Sequence, residues 1–172
     1  MKHDIKIPPS DMEAEESVLG AILCGGWETF DEVSNIIQDD EAFYDHMCKH
    51  TFRAMGRMRK AEQVIEPLSL LNETKKKNNA VTAYWISGLP GKVVGASMAK
   101  QHAGMVWEKF VQRQVGKTAY KLYNASYQSI DTTRAILDEH GRYVDDLRAL
   151  LPSRNGDIST IIQETVDKIV KG

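Results

Sequence analysis

At 172 residues with 42% hydrophobic side chains, the chain suits one domain, or a small domain with an appendage, and its apolar content excludes disorder throughout. A net charge of −2 gives no broad electrostatic reason to hold a polyanion, so protein partners fit better and little or no direct nucleic-acid binding is expected. Two cysteines, Cys24 and Cys48, are too few for a disulfide framework or a structural zinc site and suit a reducing cytoplasm, and no apolar run reaches membrane-spanning length.

The first element is an amphipathic helix. Pro8 and Pro9 fix an extended lead-in, Ser10 can cap, Glu13 completes a capping box, and Val18, Leu19, Ile22 and Leu23 fall on one face. Gly25-Gly26 ends it, and a short helix follows with Phe30, Val33, Ile36 and Ile37 at helical spacing. Over residues 45–60, Met47, Thr51, Met55 and Met58 mark another buried stripe. Pro67 suits the first turn of a helix carrying Leu68 and Leu71, which runs out in the solvated Lys75-Lys76-Lys77-Asn78-Asn79. Residues 81–87 read as a short helix closed by Gly88.

The second half changes character. From about residue 94 to 127 there is no proline, and Ala99, Ala103, Val106, Phe110, Val115, Ala119 and Leu122 form one winding stripe. A single helix of that length spans roughly 50 Å, longer than a compact domain needs, so it is expected to project. Asp131 can cap a return helix carrying Ile136, Leu137, Tyr143, Val144, Leu147, Leu150 and Leu151, which makes a helical hairpin. Pro152-Ser153-Arg154-Asn155-Gly156 reads as a linker, and beyond it Ile158, Ile161, Ile162, Val166 and Ile169 line one side of a last helix that needs a groove to dock in. The expected architecture is all-α: a globular head over 1–92, a hairpin over 93–151, and a linker with its helix over 152–172.

Chemical motifs are weak throughout. Gly116-Lys117-Thr118 has the end of a phosphate-binding loop, but Val111 stands where the loop needs its first glycine and the stretch lies inside a helical stripe. His46 and His50 sit one helical turn apart beside Asp45 and Cys48, yet only His102 or His140 could supply a third ligand, so a structural reading outweighs a metal. Glu13, Glu15 and Glu16 complement the helix dipole more simply than they form a catalytic cluster. Lys100, Lys109, Arg113, Lys117 and Lys121 read as a solvated face or a contact for an acidic partner, and less well as a duplex-binding surface. No catalytic residue, cofactor or metal is expected. The apolar surfaces carry more: Val106, Trp107, Phe110, Val111, Leu122, Val144 and Leu147 are the candidate interface residues.

Taken together, Pro8, Pro9, Glu13, Ala14, Glu15, Val18, Leu19 and Gly20 resemble the opening of the N-terminal domain of DnaB-type replicative DNA helicases. Phe43-Tyr44 with Phe52, Ile65-Glu66-Pro67-Leu68, Ala83-Tyr84-Trp85-Ile86 and Val106-Trp107-Glu108-Lys109 are similar to later family segments in the same order. The segment from Ile158 to Val166 looks like the family's linker helix. Two departures stand out: Cys48 replaces a histidine, and Leu89-Pro90-Gly91-Lys92-Val93-Val94-Gly95 replaces a polar stretch. The resemblance implies a collar domain that self-associates as a dimer or trimer of dimers and docks primase or the helicase loader. It further implies that the linker helix docks on a neighbouring motor through Ile158, Ile161, Ile162, Val166 and Ile169, and that this chain alone neither hydrolyses ATP nor unwinds DNA. The alternative is a freestanding phage or mobile-element regulator that binds the host helicase, loader or primase.

Overall fold

A computed structural model describes residues 7–77, 80–93, 95–128 and 132–151. Its regular elements are α1 (Met12–Ser34), α2 (His46–Lys60), α3 (Pro67–Lys75), α4 (Ala83–Gly88), α5 (Ala99–Gln128) and α6 (Thr133–Ala149). Three short 3₁₀ turns, Asp40–Ala42, Leu89–Lys92 and Ala96–Met98, join them, and no strand occurs among the described residues. The chain divides into two compact units, Met1–Arg113 and Gln114–Gly172, so α5 begins in one and ends in the other. The expected linker and linker helix, with Ile158, Ile161, Ile162, Val166 and Ile169, lie outside the described residues.

In the first unit, α1 starts one residue later than the capping-box reading expects. Asp11, rather than Ser10, is the N-cap, and its carboxylate accepts from the Ala14 amide at 3.0 Å. A charged acceptor at the positive end of the helix dipole does this better than a hydroxyl. The expected stop at Gly25-Gly26 is instead a kink: Gly26 takes φ +72°, which favours glycine, and the chain re-enters the helix at once. Val18, Leu19, Ile22, Phe30 and Val33 are all buried on its inner face.

The remaining helices of this unit pack around α1 and α2. Asp45 caps α2 by accepting from the Cys48 amide at 2.9 Å, and Cys48, Thr51, Phe52, Met55 and Met58 turn inward. The rings of Phe43, Phe52 and Phe30 stack in series, with centroids 4.9 Å and 5.4 Å apart. Pro67 occupies the first turn of α3, as its fixed φ and missing N–H favour. Leu70 and Leu71 are buried there, whereas Leu68, expected in the stripe, is exposed. Thr82 caps α4, which buries Ile86.

The 3₁₀ turn Leu89–Lys92 lies directly on α1. A Cβ at Gly20 would overlap the Leu89 carbonyl oxygen and come within 2.6 Å of Val93 Cγ2, so only glycine lets the two backbones approach this closely. Ser17 Oγ donates to the Lys92 carbonyl at 2.9 Å, and Trp85 Nε1 donates to Glu16 Oε1 at 3.1 Å. This docked turn lies in the stretch that departs from the family pattern, and α5 starts at Ala99, after the next turn, rather than at about residue 94.

In the second unit the distal half of α5 pairs with α6. Lys121 Nζ sits 5.1 Å from the centroid of the Tyr143 ring, and Tyr143 in turn donates to Glu139 at 2.9 Å. Thr132 caps α6 by accepting from the Ala135 amide at 3.3 Å, while Asp131, the cap expected from sequence, lies outside the described residues. His140 is buried on the inner side of α6, with Ile136, Tyr143 and Leu147 half-buried beside it.

Candidate interaction surface

The seven expected interface residues divide between the two units. Val106, Trp107, Phe110 and Val111, on the first half of α5, are buried in the single chain, and the Trp107 and Phe110 rings lie 5.0 Å apart. These four belong to the core of the first unit and offer little area to another polypeptide. Leu122 and Val144 are exposed and Leu147 is half-buried, all three in the second unit.

Arg113 adds polar ties to this apolar packing of α5 in the first unit. Its guanidinium donates to three backbone carbonyls, those of Pro9 at 2.8 Å, Ala42 at 2.6 Å and Glu41 at 3.2 Å. It also lies over the Tyr44 ring at 5.6 Å and the Phe110 ring at 5.9 Å. One side chain therefore ties α5 to the lead-in of α1 and to the corner before α2. Glu15, read from sequence as a dipole-complementing acid, completes the corner from below: it is 1% exposed and accepts from the Tyr44 and Asp45 amides at 2.8 Å and 3.0 Å. Burial raises its pKa, while the two amides and the nearby Arg113 charge pull it back down. Glu16 likewise has a specific task, pairing with Lys92 at 3.1 Å while it accepts from Trp85. Glu13 alone of the three is simply exposed. A long-range contact of this kind leaves no periodic signal, which is why the sequence reading missed it.

The second unit presents its apolar residues outward. Val115 and Leu122 on α5 are 51% and 37% exposed, and Leu137, Val144 and Leu151, at seven-residue intervals on and just beyond α6, are 60%, 40% and 51% exposed. Seven-residue spacing is the signature of a seam that packs against another helix. The stripe read from sequence on the return helix divides in the structure: Ile136, Tyr143 and Leu147 line its inner side with His140, and Leu137, Val144 and Leu151 face outward.

The weaker motifs have structural places. Gly116-Lys117-Thr118 is uninterrupted helix within α5, without the loop a phosphate site requires. His46 is exposed and His50 half-buried on α2, and among the described residues no group of three or more His, Cys, Asp or Glu could hold a metal. Burial beside Asp45 and Glu15 pushes the Cys48 thiol far above its usual range, so it packs as a small apolar group. No helix among the described residues is long and apolar enough to cross a membrane.

Residues 7–108 match the DnaB-like helicase N-terminal domain family. The chain belongs to that family. It is 24% identical over 168 residues to the replicative DNA helicase DnaB of Rhodothermus marinus, an alignment covering 95% of this chain and 18% of that protein. Against the DnaB of Geobacillus stearothermophilus it is 26% identical over 168 residues, covering 95% of this chain and 37% of the relative. Against that of Nostoc sp. (strain PCC 7120) it is 26% identical over 137 residues, covering 78% and 15%. The chain thus spans well under half the length of each of these helicases. The fold agrees: the crystal structure of the N-terminal domain of DnaB helicase from Mycobacterium tuberculosis superposes with a TM-score of 0.74 at 19% identity, covering 81% of this chain and 99% of that one. The chain aligns with the N-terminal part of these helicases, and the matching family model is that of their N-terminal domain.

Proposed function

We propose that the chain serves as the assembly collar of a replicative DNA helicase, gathering subunits through the exposed apolar seam of its second unit. The observation that carries this reading is the pair of outward stripes, Val115 and Leu122 on α5 with Leu137, Val144 and Leu151 along α6. Two adjacent helices that leave heptad-spaced Val and Leu residues in water form a poor monomer surface, and a second copy of the same hairpin would cover them as a four-helix arrangement. Dimers built this way are the unit from which a trimer of dimers, and hence a hexameric ring, would be assembled. On this reading the head is the rigid body that presents docking surface to primase or the loader, and the family membership supports that role without naming which partner is bound. The segment from Ile158 to Ile169, with its apolar positions at Ile158, Ile161, Ile162, Val166 and Ile169, would bridge to a neighbouring motor.

The test is a double substitution, Leu122→Glu with Val144→Glu, followed by sedimentation velocity. Both residues are exposed, so the fold should survive, with an unchanged circular dichroism spectrum and loss of the associated species. An associated species that persists unchanged in the folded double variant would refute the seam.

A further inference from the structure

The first unit carries a groove of its own, distinct from the apolar seam of the second. It runs between the end of α1 and the outer side of α2 and encloses about 550 Å³, a size that accommodates a few side chains of a bound segment. Its floor is apolar: the Phe30 and Phe52 rings, with centroids 5.4 Å apart, and Ile37 beside them. Gly56 opens the α2 side of the groove. Glycine inside a helix weakens it relative to alanine, and a Cβ there would meet nothing nearer than Phe30 Cζ at 3.8 Å, so packing does not demand glycine at this position. What the missing side chain leaves is space over the rings.

The rim is basic. Arg53, Arg57, Arg59 and Lys60 line the groove against a single carboxylate, that of Asp40. The three arginines are paired, and each is paired in the same way. Arg53 donates through Nε and Nη2 to Asp40 and through Nη2 to Glu41, Arg57 through Nε and Nη2 to the side chain and carbonyl of Glu73, and Arg59 through Nε and Nη2 to Asp31. Nη1 takes no part in any of these bonds. Asp31, Glu41 and Glu73 are not among the residues that line the groove, so they fix the guanidiniums without occupying it. An arginine held in this way has given up its rotamer freedom in advance and still presents a charged donor. Lys60, at the end of α2, is exposed and enters none of the ion pairs of the described residues. Cations in the last turn complement the negative end of α2, which is reason enough for Arg57, Arg59 and Lys60 taken singly. It accounts neither for Arg53 nor for the apolar floor that the four border.

We infer that this groove is a docking site for an acidic peptide segment of a partner protein. A bulky apolar side chain of the segment sits over Gly56 on the two rings, and flanking carboxylates meet the arginine Nη1 groups and Lys60. Charge selects the occupant: a wall with four cations and one anion attracts an acidic segment and repels a basic one. The apolar floor adds a second requirement, which a purely polar acidic run does not meet. Arginine and aromatic side chains are also the types enriched where proteins meet.

The experiment uses the whole chain and a fluorescein-labelled peptide of about ten residues in which aspartates alternate with leucine and phenylalanine, read by fluorescence anisotropy. Saturable binding that weakens as salt is raised is expected, with no binding of a counterpart carrying lysine for aspartate or of one carrying serine for the apolar residues. Gly56→Met, which fills the groove with a side chain that favours helix, should weaken the acidic peptide by roughly tenfold or more without lowering the melting temperature. Gly56→Ala should raise the melting temperature by a few degrees while weakening the peptide by a smaller factor; a glycine with no part in binding would move only the first of these. Lys60→Gln should weaken binding by about threefold. Failure of the acidic peptide to saturate, equal binding of the lysine counterpart, or a folded Gly56→Met variant that binds like the parent would overturn the inference. So would a Gly56→Met variant that lowers the oligomeric mass while the parent binds no peptide, since that assigns the groove to a second copy of the chain. Leu122→Glu with Val144→Glu alters only the second unit and should bind the peptide as the parent does, so the seam and the groove can fail independently.

Discussion

Replacing Arg113 with alanine removes a side chain that ties α5 to two other segments of the first unit. Three donated bonds are lost, to the carbonyls of Pro9, Ala42 and Glu41, together with the stacking on Tyr44 and Phe110. Hydrogen bonds involving a charged partner contribute about 1.5–3 kcal/mol each, but water can reach part of this corner and re-satisfy the freed carbonyls. A net destabilisation of about 2–3 kcal/mol is expected, measured by urea unfolding followed by far-ultraviolet circular dichroism. Arg113→Lys should recover less than half of it, because an ammonium cannot serve three carbonyls in a planar fork. The loss should also depend on pH. Arg113 lowers the pKa of the buried Glu15, so without it Glu15 resists ionisation further, and the added cost appears only where that carboxylate would be charged. Destabilisation should therefore be larger at neutral pH than below pH 4.5, the ordinary value for the group. A change under about 0.5 kcal/mol, or one independent of pH, would refute this account of the corner.

Other consequences follow from particular contacts. Gly20→Ala forces a methyl against the Leu89 carbonyl and Val93, and should cost roughly 1–3 kcal/mol in urea unfolding; a neutral substitution would mean that the Leu89–Lys92 turn is not docked on α1. Native-state thiol labelling should modify Cys24, which is exposed, and spare Cys48 until the protein unfolds; equal rates would contradict the burial of Cys48. Glu73 is held below its ordinary pKa of 4.5 by hydrogen bonds from Lys76 and Arg57, so it contributes stability above that pH that is lost as pH falls through its depressed value. Glu73→Gln should remove that part of the acid-side decline in melting temperature. An unchanged acid profile would show that the pair contributes little.

Legibility from sequence followed the range of the interaction. Asp45, Pro67 and the absence of proline from the long helix are local signals, and α2, α3 and α5 lie close to where those residues place them. The N-cap of α1 slipped by one because Ser10 and Asp11 are both good caps and only the helix start distinguishes them. Gly26 was legible as a break but not as a kink, since a positive φ can end a helix or redirect it. Gly20, Glu15 and Arg113 act across long separations in the chain, and nothing in their immediate neighbours announces a partner. On α6 the period was clear but its phase was not: Leu137 and His140 are three residues apart, and apolarity favoured Leu137 for the inner side that His140 occupies. On the first half of α5 the stripe of Val106 and Phe110 was legible but what covers it was not: with Trp107 and Val111 these residues are buried in the first unit.

The central claim, that this domain exists to bring polypeptides together through its hairpin, is tested most directly by the mass of the unmodified chain in solution. Multi-angle light scattering over a range of protein concentrations should give at least twice the 19.4 kDa of one chain, rising with concentration. A mass fixed at that of a single chain up to high concentration would contradict it.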